Sequence, residues 1–342
     1  MSVTDPHIKS EKRGALGLVT LARPGALNAL THGMVKAIAA SLSDWAADDT
    51  IRAVAIRGEG RAFCAGGDIR AVQQAVAAGS DEGFALLRDE YRMNALIGAY
   101  PKPYVALIHG ICMGGGAGVS VHGSHRLADS SLAFAMPETA IGFVPDIGSS
   151  YFLSRAPGGI GLYLGLTAER IGLGDALESG FVTHAVEQAH FEAVIEGLAK
   201  GEAVDTVIAP FIRKVAPGPL SPHRRQIETI FSASSVEAIL ERLDRDGSDF
   251  ARTTAQIIRS RSPTSLKVVF RQLRMAAKMD LKQCLTMELR LALRILPGHD
   301  FREGVRAALV DKDRAPKWQP SALAGVGDVE AYFAALESGN LF

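Results

Sequence analysis

The sequence predicts an α/β fold whose strands lie beside parallel partners, and three features carry that prediction. In the first half, short β-rich apolar runs alternate with stretches of helical periodicity. Two glycine-rich turns each follow a strand and lead into a helix. From about Gly158 onward the pattern becomes mostly helical. In order, Ala15–Leu21 reads as a strand ended by the Arg23–Pro24–Gly25 break, and Leu30–Ala46 places apolar residues at helical spacing. Ala53–Arg57 is a short strand of the buried type that runs into the turn-rich stretch 58–63. Gly67–Ala78 and Asp81–Tyr100 follow as helices, the second amphipathic. Tyr104–Ile108 is again a strand, and Gly114–Gly115–Gly116 then opens a helix of small residues. Succession of strand, crossover and strand is what gives parallel neighbours.

A Pro/Gly-rich stretch at Ala216–Pro222 is the best candidate boundary, dividing a core of residues 1–215 from a helical C-terminal region of residues 216–342. A surface loop inside one domain would account for the same residues. Beyond it, helical periodicity spans Arg224–Leu243, Asp249–Arg259 and Pro263–Arg294.

Composition narrows the function classes. At 342 residues, with 47% hydrophobic and 22% charged, the chain can build a substantial core. Lys+Arg and Asp+Glu both total 37, so no net field draws it to nucleic acid or an anionic membrane, and any anionic ligand must be attracted locally. The longest apolar runs are too short to span a bilayer, and the N-terminal stretch lacks the apolar centre of a signal peptide. Cys64, Cys112 and Cys284 are widely spaced and form no metal-like pair, which fits small buried residues in a reducing compartment. A cytoplasmic enzyme is the resulting expectation.

Three segments could carry chemistry. In Arg61–Ala62–Phe63–Cys64–Ala65–Gly66–Gly67–Asp68–Ile69, small residues after a strand let the backbone approach a ligand, and free N–H groups at the following helix can bind an anion; a tight strand–helix turn would use the same residues. In Met113–Gly114–Gly115–Gly116–Ala117–Gly118, three glycines before a helix weaken local stability, so something close-packed needs the space; no Gly-Lys-Ser/Thr follows, which excludes a P-loop. In the segment 136–151, two carboxylates, Glu138 and Asp146, stand in apolar, Gly/Pro-broken sequence. Pro145 keeps them off one continuous helical face, and apolar surroundings raise carboxyl pKa values toward neutrality. The structural alternative has Glu138 capping a turn and Asp146 capping the helix near Gly148. His109 and His122, near the glycine run, read as packed structural histidines, and Asp89 and Glu90 as acids on an amphipathic helix.

Together the pieces suggest a reaction type. Two glycine turns could aim two backbone N–H donors at one carbonyl oxygen, an arrangement in which losing one donor costs about 3 to 4 kcal/mol of transition-state stabilisation. A carboxylate beside it supplies a base or a nucleophile. That combination fits acyl-thioester chemistry without a metal.

The chain resembles the crotonase-like (enoyl-CoA hydratase/isomerase) superfamily over roughly residues 12–200. The resemblance rests on Arg23–Pro24 with Leu27–Asn28–Ala29–Leu30, on Gly60–Asp68, on Lys102–Pro103 and on the Gly114–Gly116 run. Within it, LIHGICMGGGAGVSVHG, FAMPETAIGFVPDIG and GHDFREGVRAALVDKDRAPKW resemble the 3-hydroxyisobutyryl-CoA hydrolase branch. The resemblance implies a spiral of repeated ββα units with a helical C-terminal region. It implies Gly67 and Gly115 as the oxyanion-hole N–H donors, Glu138 as the catalytic glutamate and Asp146 as its acidic partner. It further implies Glu90 as a substrate contact, the Ala65–Gly66–Gly67–Asp68 backbone along the CoA path, and Lys312 as a phosphate contact. The position where hydratases of the superfamily hold a second glutamate is Gly118 here, which disfavours hydration and leaves hydrolysis open. The branch's glycine run after Asp146 is replaced by Gly148–Ser149–Ser150, and two added hydroxymethyl groups could narrow an acyl pocket.

The expectation is therefore hydrolysis of a small 3-hydroxyacyl-CoA thioester, leading with 3-hydroxyisobutyryl-CoA, which the resemblance links to valine breakdown. CoA would be part of the substrate, with no metal or other cofactor, no nucleic acid and no membrane partner; the sequence leaves a homo-oligomer open. The rivals are an enoyl-CoA hydratase or isomerase and a catalytically silent CoA-binding protein.

Overall fold

The structure, a computed structural model, describes residues 4–336 and 341–342. Its strands are β1 (Ile8–Arg13), β2 (Leu16–Leu21), β3 (Ala53–Gly58), β4 (Ala62–Cys64), β5 (Tyr104–Ile108), β6 (Ile111–Met113), β7 (His125–Ala128), β8 (Ala133–Ala135) and β9 (His184–Ala185). They form a six-stranded sheet in the order β1-β2-β3-β5-β7-β9 and a three-stranded sheet in the order β4-β6-β8. A repeated step explains both orders. β3–β4, β5–β6 and β7–β8 are each followed by a helix or helical turn, and each pair sends its first strand to the large sheet and its second to the small one. From β2 to β9 the large sheet's neighbours are parallel, as the alternation of strands and helices predicts; only β1 runs antiparallel to β2.

The chain divides into two compact units: residues 1–68, 88–134 and 171–219 make the first, and residues 69–87, 135–170 and 220–342 the second. The Pro/Gly-rich stretch at 216–222 contains the last crossing from one to the other. In the first unit, alternate residues of the large sheet's strands (Leu16, Leu18, Ala53, Ala55, Val105, Leu107) point to one face. They pack there against Val194, Ile195 and Leu198 of the helix Phe191–Ala199 and against Val207 and Ile208. β2 is buried along its whole length, so it reads as a continuous apolar run rather than an alternating one.

The second unit is helical apart from the end of β8. Two expected helices prove to be pairs. Arg224–Leu243 is Arg224–Phe231 and Val236–Asp246, parted where the Ser235 hydroxyl caps the second through the Ala238 N–H. Pro263–Arg294 is Pro263–Ala276 and Leu281–Ile295, parted by a capping box of Asp280 and Gln283. Capping residues inside an unbroken apolar period were the missed signal. β1 was missed as well, because Ile8–Arg13 is a mostly exposed edge strand with no apolar pattern.

Candidate active site

In the first unit, β4 and β6 are parallel neighbours, with Cys64 opposite Cys112, and both run into glycine turns, Gly66–Gly67 and Gly114–Gly116. Those turns therefore leave adjacent strands at the same end. Gly66 (φ 117°) and Gly114 (φ 48°) each take a positive φ immediately before the residue of interest, a conformation side chains rarely accept. A Cβ on Gly115 would stand 3.1 Å from the Gly67 nitrogen and 2.7 Å from Glu90 Oε1, so the two candidate donors and the candidate acid are near neighbours. A Cβ on Gly116 would collide with the Cys64 carbonyl, which is why the helix Gly115–Gly118 can press against β4.

Neither donor is consumed by the backbone ladder. In the bridge between Leu30 and Gly67, Leu30 receives Asp68 N–H and donates to Gly66 O, which turns Gly67 N–H away from it. Gly115 is the first residue of its helix, where an N–H has no acceptor within the helix. The amides of Ala65 and Asp68 are by contrast spent on Leu27 O and Leu30 O, and the Asp68 carboxylate lies 3.0 Å from Arg23 Nη1. Asn28 holds this turn in place: its amide nitrogen donates to Glu59 O and Ala62 O, and its Oδ1 accepts from Arg23 N–H. Glu90 is not a solvated helix acid but 2% exposed. One turn further along its helix (Glu82–Gly98), Asn94 is fully buried with both amide atoms lacking a hydrogen-bond partner among the described residues. Buried amides are normally satisfied, which makes Asn94 a polar group that sequence reasoning passed over.

In the second unit, Glu138 begins a helical turn, Glu138–Ile141, three residues after β8. That turn is pressed onto the helix His299–Val305 through two glycines: a Cβ on Gly142 would strike the Asp300 carbonyl and one on Gly304 would strike Ile141. Phe143 packs on Phe301 with centroids 5.7 Å apart, and Thr139 donates to Gly165 O at 3.0 Å. The GHDFREG motif is thus a bed for the Glu138 turn.

Glu138 is 6% exposed, and its Oε2 has no hydrogen-bond partner among the described residues. Burial, then the nearby Asp146 and Glu288 carboxyls, hold it well above the ordinary carboxyl range. The N-cap positions are Pro137 for the Glu138 turn and Gly148 for the helix Ser149–Leu153, neither with a side-chain cap of its own, and Ser149 N–H donates to the Asp146 carbonyl. The Gly148 and Ser150 amides at that helix start are taken by Glu288, which sequence reasoning missed; burial pushes its carboxyl up to about 8 against the pull of Ser150 and Gly148. Its signal was an acid on the buried stripe Cys284, Leu291 and Ile295 of the helix Leu281–Ile295. Ser150 turns its hydroxyl onto this carboxyl, while the buried Ser149 hydroxyl has no hydrogen-bond partner among the described residues.

Lys312 is exposed at φ 60°, between Asp311 and Asp313, which both bind Arg306. All three cysteines are free and buried, and burial raises their thiol pKa values, so none is a poised nucleophile.

The three-step strand pattern with glycine turns is a crotonase-like fold, shared with a solved structure titled a carnitinyl-CoA dehydratase from Mycobacterium thermoresistibile (40% identity, 99% of each chain, TM-score 0.94). A second, titled an enoyl-CoA hydratase from Rhodobacter sphaeroides 2.4.1, is 38% identical over 96% of this chain and 98% of its own, with TM-score 0.90. A family model described as enoyl-CoA hydratase/isomerase matches residues 16–333, and the chain belongs to that family. Among curated relatives, the 3-hydroxyisobutyryl-CoA hydrolase, mitochondrial, of Xenopus tropicalis is 45% identical over 99% of this chain and 92% of its own. The human protein of that name is 43% identical over 97% and 89%. These names correct the cytoplasmic expectation, since the relatives are mitochondrial enzymes. Balanced charge and free buried cysteines suit any reducing compartment, so composition never discriminated between them.

Proposed function

We propose that the protein hydrolyses the thioester of a small 3-hydroxyacyl-CoA, with 3-hydroxyisobutyryl-CoA as substrate and 3-hydroxyisobutyrate and CoA as products, a reaction of valine breakdown. Full-length relatives bearing the hydrolase name support the substrate class. The observation that carries the chemistry is one of register. Gly67, Gly115 and Glu138 stand three, two and three residues after the second strand of three successive repeats. Loops at such strand ends are where sheets of parallel strands place their ligands.

The thioester oxygen accepts from the Gly67 and Gly115 N–H groups, an oxyanion hole that stabilises charge as it develops. Glu138 attacks the carbonyl carbon; the C–S bond breaks, the CoA thiolate leaves, and water hydrolyses the acyl anhydride to free acid and glutamate. Acting as a general base on a water would give the same products. Asp146 binds the 3-hydroxyl or orients that water, and Glu90 fixes the acyl end. The Ala65–Asp68 backbone lies along CoA and Lys312 meets a phosphate. No metal or redox cofactor enters the scheme. In single turnover in oxygen-18 water, label in Glu138 establishes the anhydride, because general-base catalysis labels only the released acid.

A second reading, hydration of an enoyl-CoA, draws on the titles of the two solved neighbours. Gly118 weighs against it, having no side chain to hold or protonate a water. The deciding experiment offers a panel of acyl-CoA thioesters, assayed by free-thiol release, beside crotonyl-CoA, assayed by loss of enoyl absorbance. Thiol release fastest with short 3-hydroxyacyl groups supports hydrolysis; efficient crotonyl-CoA hydration without thiol release overturns it.

A further inference from the structure

A single buried carboxyl takes hold of the residues that follow Asp146. Glu288, fully buried, accepts from Gly148 N–H at 2.6 Å through Oε2, and from Ser150 N–H at 2.9 Å and the Ser150 hydroxyl at 2.5 Å through Oε1. On the other side of Asp146, the buried Gln272 donates its amide to Pro145 O at 2.7 Å. Between these two grips the backbone takes two consecutive left-handed residues, Ile147 at φ 58° and Gly148 at φ 80°. A β-branched residue adopts that conformation only when its surroundings impose it. Glu288 lies 138 residues from Ser150 in sequence, so nothing local accounts for the contact.

We propose that Glu288 is a positioning residue for thioester hydrolysis: by gripping Gly148 and Ser150 it imposes the left-handed step at Ile147 and so sets the direction of the Asp146 carboxyl. The proposal rests on the hydrolase reading above and on Asp146 acting in it. Two backbone N–H groups meet different oxygens of Glu288, and a carboxyl keeps an acceptor at both whether or not it holds a proton, whereas a glutamine would turn N–H against N–H at one of them. Ser150 belongs to the same device. Its hydroxyl is turned onto Glu288 and adds a further contact.

The test measures kcat and KM for 3-hydroxyisobutyryl-CoA hydrolysis by the wild type, Glu288→Gln, Ser150→Ala, Asp146→Asn and the double variant Asp146→Asn/Glu288→Gln. Glu288→Gln is expected to lower kcat on the order of 10- to 100-fold, with KM within about threefold, as misplacing one working group does. Ser150→Ala, losing one contact of three, is expected to lower kcat a few-fold. In the Asp146→Asn background, Glu288→Gln should cost less than about threefold more, because a residue that acts through Asp146 has nothing left to position. A general structural role predicts independent, multiplying losses, and that result, or unchanged kcat in Glu288→Gln, overturns the proposal. If Glu288→Gln does not fold, the cycle of Ser150→Ala with Asp146→Asn reads the same coupling. Wild-type protein that releases no thiol from any acyl-CoA defeats the hydrolase reading and this proposal with it. Hydrolysis that is lost in Glu138→Gln but indifferent to Glu288→Gln defeats the proposal alone.

Discussion

The two groups of candidate residues differ in kind. Around Gly67 and Gly115 the proposed working groups are backbone amides, and the sequence leaves side chains out there: positive φ at Gly66 and Gly114, and no space for a Cβ at Gly115. Around Glu138 and Asp146 the proposed working groups are buried side chains, and residues from distant helices grip the flanking backbone, Gln272 at Pro145 and Glu288 at Gly148. An oxyanion hole needs geometry and little else, whereas a carboxyl with a raised pKa needs burial, neighbouring charge and support.

The glycine group should be the more sharply broken by adding an atom. Gly115→Ala puts a Cβ against Glu90 Oε1 and Gly67 N, so kcat should fall on the order of 100- to 1,000-fold as donor geometry is lost. Gly67→Ala meets nothing within 4 Å, so its melting temperature should stay at the wild-type value while that of Gly115→Ala drops. Equal melting curves and equal kcat in the two variants would erase the distinction.

In the acidic group a smaller loss should come with a shift in pH dependence. Asp146→Asn should lower kcat roughly 10- to 100-fold. It should also move the acidic limb of the kcat/KM profile to lower pH, because Asp146 is one of the charges that raise Glu138. An acidic limb that stays in place would deny the coupling.

The smallest expected effect is on stability. The Glu288 carboxyl rises from 4.5 to about 8 on folding, so between those values the folded chain binds the proton more tightly than the unfolded chain does. Its contribution to stability is complete below about 4.5 and is lost as pH climbs through about 8, and Glu138, raised as well, acts in the same sense. Urea unfolding of wild type and Glu288→Gln across that range should show the wild type losing stability relative to the variant as pH rises. A constant difference would contradict the raised value.

The contrast also explains what was legible beforehand. Strand runs, the crossovers between them and both glycine turns are local patterns, and they led to a parallel sheet and to two strand-end turns able to aim N–H donors; the choice of Gly67 and Gly115 within them came from the family resemblance. Glu138 and Asp146 stood out as acids in apolar sequence. Glu288 and Asn94 did not, because each lies on a helix whose polar residues are mostly solvated, and only tertiary packing shows which of them is buried. The split of Pro263–Arg294 at Asp280 was hidden for a similar reason: the apolar period continues across a break that the capping box alone announces.

The account turns most directly on Glu138. Thiol release from 3-hydroxyisobutyryl-CoA, measured for wild type and Glu138→Gln with CoA affinity followed by calorimetry, should show a rate loss on the order of 1,000-fold with affinity unchanged. A Glu138→Gln protein that releases thiol at the wild-type rate would contradict it.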